Sequence, residues 1–278
     1  MAPAGHPDRG VFANLIVRKN DLGGAIRSAV AEERFPPGAG RGAPGLHPSH
    51  GPFSSWYVHI LPFMKEDAIW QQIDFVNLPP EPVIGDVPWS VGNTVLSTGK
   101  KLNATTVDWA LCPSDEFTPH VADTTRGQMA AANYAGNRGV MVMAMHGGCQ
   151  QFSRELVKRL NQTNLGPFGI LANHWADCID SASCSGIIGN AGYGSKLKEV
   201  RDGTSNTLAI SEILPECRDD AIYPFVSMWE YNGHVNNTFA NAPPNFDTCP
   251  PHGGGCDDTG DWPASRAFKS KHLDGINA

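Results

Sequence analysis

The sequence predicts an α+β fold with long Gly/Pro-rich loops, and three observations carry that prediction. Helix-periodic segments come first along the chain. Strand-like segments come later and at irregular spacing, without the regular alternation that builds a parallel sheet. With 30 glycines and 22 prolines in 278 residues, about one residue in five is a breaker, against a typical one in eight.

The first helix is expected over 14–33, where Leu15, Leu22, Ile26 and Val30 recur at helical spacing. Gly23 and Gly24 weaken it, and Phe35-Pro36-Pro37-Gly38 ends it. A Gly/Pro/His/Ser loop leads to a second helical segment, Ser55 to Ile73, bearing Trp56, Ile60, Phe63, Met64 and Trp70, with Pro62 as a kink. Residues 77–105 read as irregular. Val107, Trp109 and Leu111 alternate in 106–112 and predict a strand that ends at Cys112-Pro113-Ser114-Asp115. A third helix is expected over 151–160, on the stripe Phe152, Leu156, Val157 and Leu160. Strands are expected at 168–171, at 207–213 and at 222–231, the last at an edge or bulge because of Pro224. The tail from Asn232 to Pro263 reads mostly as loop.

The apolar fraction of 41% is too high for a disordered chain and sufficient for a core. A net charge of −7 argues against nucleic acid as a partner. No run of 18 apolar residues offers a membrane span, and the opening MAPAGHPDRG lacks the apolar stretch of a signal peptide. Of the seven cysteines, Cys178/Cys184 and Cys249/Cys256 form close pairs in Gly-, Ser- and Pro-rich surroundings. Such pairs suit small disulfide loops in an oxidising compartment, and the odd count leaves a thiol over.

Five chemistries stand to be weighed against plainer roles. Ser205, between Asp202 and Asn206, lacks the Gly-x-Ser-x-Gly strand-to-helix elbow of a serine nucleophile. The stretch Asp202-Gly203-Thr204-Ser205-Asn206 reads better as a turn, with Gly203 at positive φ. Asn206 and Thr207 then open the strand, Leu208 and Ile210 face the core, and Glu212 falls on the same inward side. That carboxylate must mark an exposed strand end or meet a buried partner. For zinc, His146/Cys149, His174/Cys178 and His252/Cys256 match neither a Cys-x2-Cys ribbon nor a His-Glu-x-x-His helix. For calcium, the carboxylates of Asp257, Asp258 and Asp261 share one loop without the EF-hand register. The glycines of 186–194 lack the strand–helix context of a phosphate loop. The scattered aromatics, among them Trp56, Tyr57, Trp70, Trp109 and Trp229, read as core packing before they read as a sugar platform.

An ordered series of short motifs adds a resemblance. Along the chain run 14–30, Arg34 to Gly38, Ser55 to Phe63, Leu111 to Asp115, Asn133-Tyr134-Ala135-Gly136-Asn137 and Gly166 to Gly169. Asp202 to Thr207 and Ser270-Lys271-His272 complete the series. Over about residues 14–277 the chain resembles the planctomycete-type family of prepilin-like proteins with an uncharacterised C-terminal domain, related to type II secretion pseudopilins. The resemblance implies a pilin-like head, with an N-terminal helix packed on an antiparallel sheet. It implies an N-terminal helical segment over 1–35 and a globular head over 36–278. It also implies export beyond the inner membrane and self-association or contact with other pilin-like subunits.

No catalytic residue comes with the resemblance, and no cofactor beyond the calcium candidate is expected. The basic leader and long apolar helix usual in the family are missing from this sequence, as is the strand that usually follows the segment matching 272–277. An ectodomain piece or a differently built member is therefore expected. The function classes that follow are an extracytoplasmic structural subunit first, an extracellular carbohydrate- or solute-binding module second and a metal-dependent hydrolase third.

Overall fold

The computed structural model describes residues 35–36, 54–74, 91–116, 120–123, 127–137, 195–200, 203, 206–215, 227–229, 237–238, 244–245 and 268–272. The expected helices at 14–33 and 151–160 and the strand at 168–171 lie outside them.

The segment Ser55–Ile73 is helical but broken. Helix α1, Trp56–Ile60, passes into a 3-10 turn at Leu61–Met64 that carries Pro62 in its first positions. Proline is tolerated there because the first turn of a helix leaves its N–H groups unpaired anyway. Lys65 then takes a left-handed conformation at φ 60 and closes the turn, and a second short helix, α2, spans Asp67–Trp70. The break lets both faces of this strip reach the core: Trp56, Tyr57, Val58, Ile60, Leu61, Phe63 and Trp70 are all buried.

Two small sheets follow. Strands β1, His120–Asp123, and β2, Gly127–Ala130, pair antiparallel. In the second sheet β3, Tyr134–Asn137, is central, with β4, Ile210–Glu212, antiparallel on one side and β5, Asn237–Thr238, parallel on the other. The free side of β4 is met by the segment 268–272, where the Lys269 N–H donates to the Glu212 carbonyl at 3.0 Å. The parallel β5 departs from the purely antiparallel sheet expected, and it falls in the tail that reads as loop from sequence.

Three local expectations are corrected. Residues 106–112 are not a strand: Ala110 N–H to Val107 O and Leu111 N–H to Asp108 O close a 3-10 turn at Asp108–Ala110. Val107 and Leu111 flank that turn in extended conformation, which imitates strand alternation. The strand expected at 207–213 begins only at Ile210. Before it, Asn206 N–H and Thr207 Oγ1 both donate to the Gly203 carbonyl, at 3.0 Å each, so the turn runs on where a strand start was expected. Within 222–231 the described residues Ser227–Trp229 form a turn, pinned by Met228 N–H to Ala130 O at 2.8 Å and by Trp229 N–H to Ser227 Oγ.

The core is aromatic at its centre. Tyr57 stacks on Trp56 with ring centroids 3.9 Å apart, lies 5.7 Å from Trp109, and meets Trp229 edge-on at 6.5 Å. Two of the polar tips find partners: Trp229 Nε1 donates to Thr105 O at 2.7 Å and Tyr57 Oη to Tyr134 O at 2.6 Å. Around this slab pack Leu102, Ile213, Met228 and the alanines 130–132. Among the described residues, no helix is long and apolar enough to cross a membrane.

Candidate functional site

Beside the aromatic slab the chain builds a polar knot, and Asn133 is its hub. The Asn133 side-chain oxygen accepts the Cys112 N–H at 2.8 Å, and its amide donates to Asp115 Oδ2 at 2.6 Å. Its backbone N–H donates to Ala110 O, and its carbonyl accepts the Ile213 N–H at 2.7 Å. One residue, through its side chain and both its backbone groups, thus fixes the 3-10 turn before Cys112 to the end of β4. Asn133 is 1% exposed, so each of these groups would lose much if left unpaired.

This clamp brings Cys112 beside Glu212, the last residue of β4. The loop 268–272 delivers the third member, His272. Lys269 N–H to Glu212 O anchors that loop on one side, and Ser270 N–H to Asn245 Oδ1 at 2.7 Å anchors it on the other. Ser270 Oγ accepts the His272 N–H at 3.0 Å. Lys271 reaches back to Asp115, with Nζ 2.5 Å from Oδ1.

Three polar atoms converge on one ring nitrogen, His272 Nε2. Glu212 Oε1 lies at 3.1 Å, Ser114 Oγ at 3.1 Å and Cys112 Sγ at 3.6 Å, while the thiol and the Ser114 hydroxyl are 3.0 Å apart. The donor atoms of Cys112, Glu212 and His272 all lie within 4.8 Å of one another. Glu212 is 2% exposed and Cys112 6%, whereas the His272 side chain is 37% exposed and opens the cluster to solvent. Burial pushes the Cys112 thiol up, and its hydrogen bond with Glu212 adds to the shift. Burial likewise pushes the Tyr134 phenol up, to about 12.

The arrangement differs from a thiol triad. There, the imidazole uses one nitrogen toward the nucleophile and the other toward the orienting acid. Here acid and thiol share a nitrogen, and the thiol is held away from the thiolate form that attacks. What the cluster offers is a sulfur, a nitrogen and a carboxylate oxygen converging on one point.

The residues singled out from sequence divide accordingly. Cys112, Ser114, Asp115, Asn133 and His272 meet in the knot, and Tyr134 adjoins it through its pairing with Glu212 in the sheet. Pro113 is exposed next to it. Trp56 is in the slab, Pro62 in the 3-10 turn, and Pro36 is buried beside Phe35, whose N–H donates to Ser195 O. Gly136 is buried in β3, while Gly203, Asn206 and Thr207 form the turn before β4. Pro37, Gly38, Asp202, Thr204, Ser205, the aspartates 257, 258 and 261, and Cys178, Cys184, Cys249 and Cys256 lie outside the described residues. Cys112 itself carries no disulfide. Glu212 was visible in the sequence only as a carboxylate on an inward strand position, and the structure supplies its partner. The grouping of Cys112 with His272, 160 residues apart, has no signal in local spacing.

Among the described residues, short helices and two small sheets bring dispersed motifs together in one polar knot, buried at Asn133, Cys112 and Glu212 and open to solvent at His272. The chain belongs to the family described as a protein of unknown function (DUF1559), whose model matches residues 21–277. No curated protein and no solved structure matches the chain.

Proposed function

We propose that this chain is the extracytoplasmic head of a pilin- or pseudopilin-like subunit, a structural protein that acts through packing and surface contact. The observation that carries the reading is where the motif residues go. Asn133, Cys112, Asp115 and His272 come from separate motifs of the prepilin-like resemblance, and each is engaged in tying one segment to another. Each spends its hydrogen bonds within the protein, on a partner remote in sequence. The acid-on-the-same-nitrogen geometry at His272 argues in the same direction, against thiol catalysis. The test is electron microscopy of the native material. Filaments or an ordered surface array are the expected result, and particles that stay single at every concentration would remove the reading.

A second reading, an extracellular solute- or carbohydrate-binding module, is favoured by the short name of the matching family model, SBP_bac_10, whose form suggests a binding-protein-like family. A glycan array with titration calorimetry decides it. Heat of binding for one sugar or small-solute class supports it, and flat traces across both panels dispose of it.

A further inference from the structure

The cluster of Cys112, Glu212 and His272 goes beyond a scaffold contact, and we propose that it is a zinc site that clips three remote segments together. The inference stands apart from the pilin-like reading, since a clip would serve any exported head.

The donor set is the first argument. One thiolate sulfur, one imidazole nitrogen and one carboxylate oxygen are the ligand types that a borderline-soft divalent ion such as zinc combines. Hard ions such as calcium and magnesium take oxygen ligands and would leave the sulfur unused.

Geometry is the second. With Zn–S near 2.3 Å and Zn–N or Zn–O at about 2.0–2.2 Å, tetrahedral ligands sit about 3.3–3.7 Å apart. Cys112 Sγ and His272 Nε2 are 3.6 Å apart, and His272 Nε2 and Glu212 Oε1 are 3.1 Å apart. These match two edges of such a tetrahedron to within a small adjustment of side chains, and the third, from sulfur to carboxylate oxygen, is within 4.8 Å. The fourth corner falls to Ser114 Oγ, 3.1 Å from the imidazole nitrogen and 3.0 Å from the sulfur, or to water entering on the exposed side of His272.

Third is the mismatch that the ion would relieve. A single ring nitrogen has either one proton or one lone pair to offer, yet three polar atoms crowd it. An ion at the centre of the cluster gives each ligand atom its own bond in place of a shared approach to one nitrogen.

Support around the ligands fits as well. Metal sites depend on outer partners that fix the orientation of each ligand. Here Asn133 holds the Cys112 backbone, β3 and Lys269 hold Glu212 on both sides, and Ser270 Oγ holds the His272 N–H.

The experiment takes the whole purified chain, stripped of metal, and titrates it with zinc chloride, followed by X-ray absorption at the zinc edge. The expected result is one equivalent of zinc in a shell of one sulfur with nitrogen and oxygen, and a rise in unfolding temperature. Cys112→Ser and His272→Gln should each weaken binding by more than the about 10–100-fold that loss of an outer partner costs. Circular dichroism of the variants separates lost ligation from lost folding, and the absorption spectrum of the wild-type chain stands whether or not they fold. No zinc bound by the folded chain, a shell with two sulfurs or none, or unchanged affinity in both variants would each overturn the site. Filament formation without metal would leave the functional reading intact, so the two can fail separately.

Discussion

The aromatic slab and the polar knot hold the chain together by opposite means. In the slab, Tyr57 meets Trp56, Trp109 and Trp229 in three different ring geometries. Attraction there is non-directional and scales with the apolar area removed from water. In the knot, cohesion depends on which atom faces which: Asn133 can serve Cys112 and Asp115 only in one orientation. The slab therefore sets the size of the stability, and the knot sets which segments meet. Buried hydrogen bonds add little net energy when made but cost a great deal when one partner is removed.

The largest expected effect is in the slab. Trp229 is 0% exposed, and its indole N–H satisfies the Thr105 carbonyl. Trp229→Ala should cost about 3–5 kcal/mol in a urea-unfolding experiment, through the cavity and the orphaned carbonyl together. A loss below about 1 kcal/mol would mean that this ring is not central to the core.

The next effect tests the knot. Asn133→Ala removes far less volume than the tryptophan change, yet it strands the Cys112 N–H and one Asp115 oxygen in a buried place. A loss of about 2–3 kcal/mol is expected in the same assay. A near-neutral result would reduce the knot to a passive contact, and the contrast between the regions would collapse.

What could be read in advance follows the same division. The strip 55–73 was legible because apolar spacing is a local property, although the break at Lys65 was not, since a lysine at positive φ carries no marker. Alternation at Val107, Trp109 and Leu111 misled because burial on one side does not require a pairing strand, and the backbone there spends its hydrogen bonds within the turn and on Asn133. Strands β1 and β2 have neither a clean period nor a strong apolar run. Of the site, Glu212 showed itself by being polar where the pattern turned inward. Cys112 and His272 stood out as residues but not as a pair, because tertiary folding alone joins them. The zinc spacings visible at His146/Cys149, His174/Cys178 and His252/Cys256 lie outside the described residues, and the cluster that does form spans remote segments.

A pH titration sharpens the comparison from the slab side. Helix α1 carries His59, whose Nε2 lies 3.1 Å from Ser54 Oγ, and burial lowers its pKa from 6.5 to about 4. Between those values the unfolded chain binds the proton and the folded chain does not, so stability rises with pH. The contribution is complete above pH 6.5 and is lost as pH falls toward 4. His59 is half-buried as a residue, so a drop on the order of 2 kcal/mol is expected. Urea unfolding at stepped pH should show this slope in the native chain and a flatter one in His59→Gln. An unchanged slope in the variant would assign the titration elsewhere.

The smallest effect lies at the entrance to β4, in the turn that delivers Glu212 to the knot. Gly203 sits at φ +83, and a Cβ placed there would meet only Asn206 Nδ2, at 3.9 Å. Space is therefore not the constraint; the left-handed backbone is. Gly203→Ala should cost about 1 kcal/mol through backbone strain, and Gly203→Asn should cost less, because asparagine visits this conformation more readily. A steric explanation would rank the two the other way, since asparagine is the larger side chain. The order of the two midpoints, rather than either value alone, decides whether this turn is held by conformation.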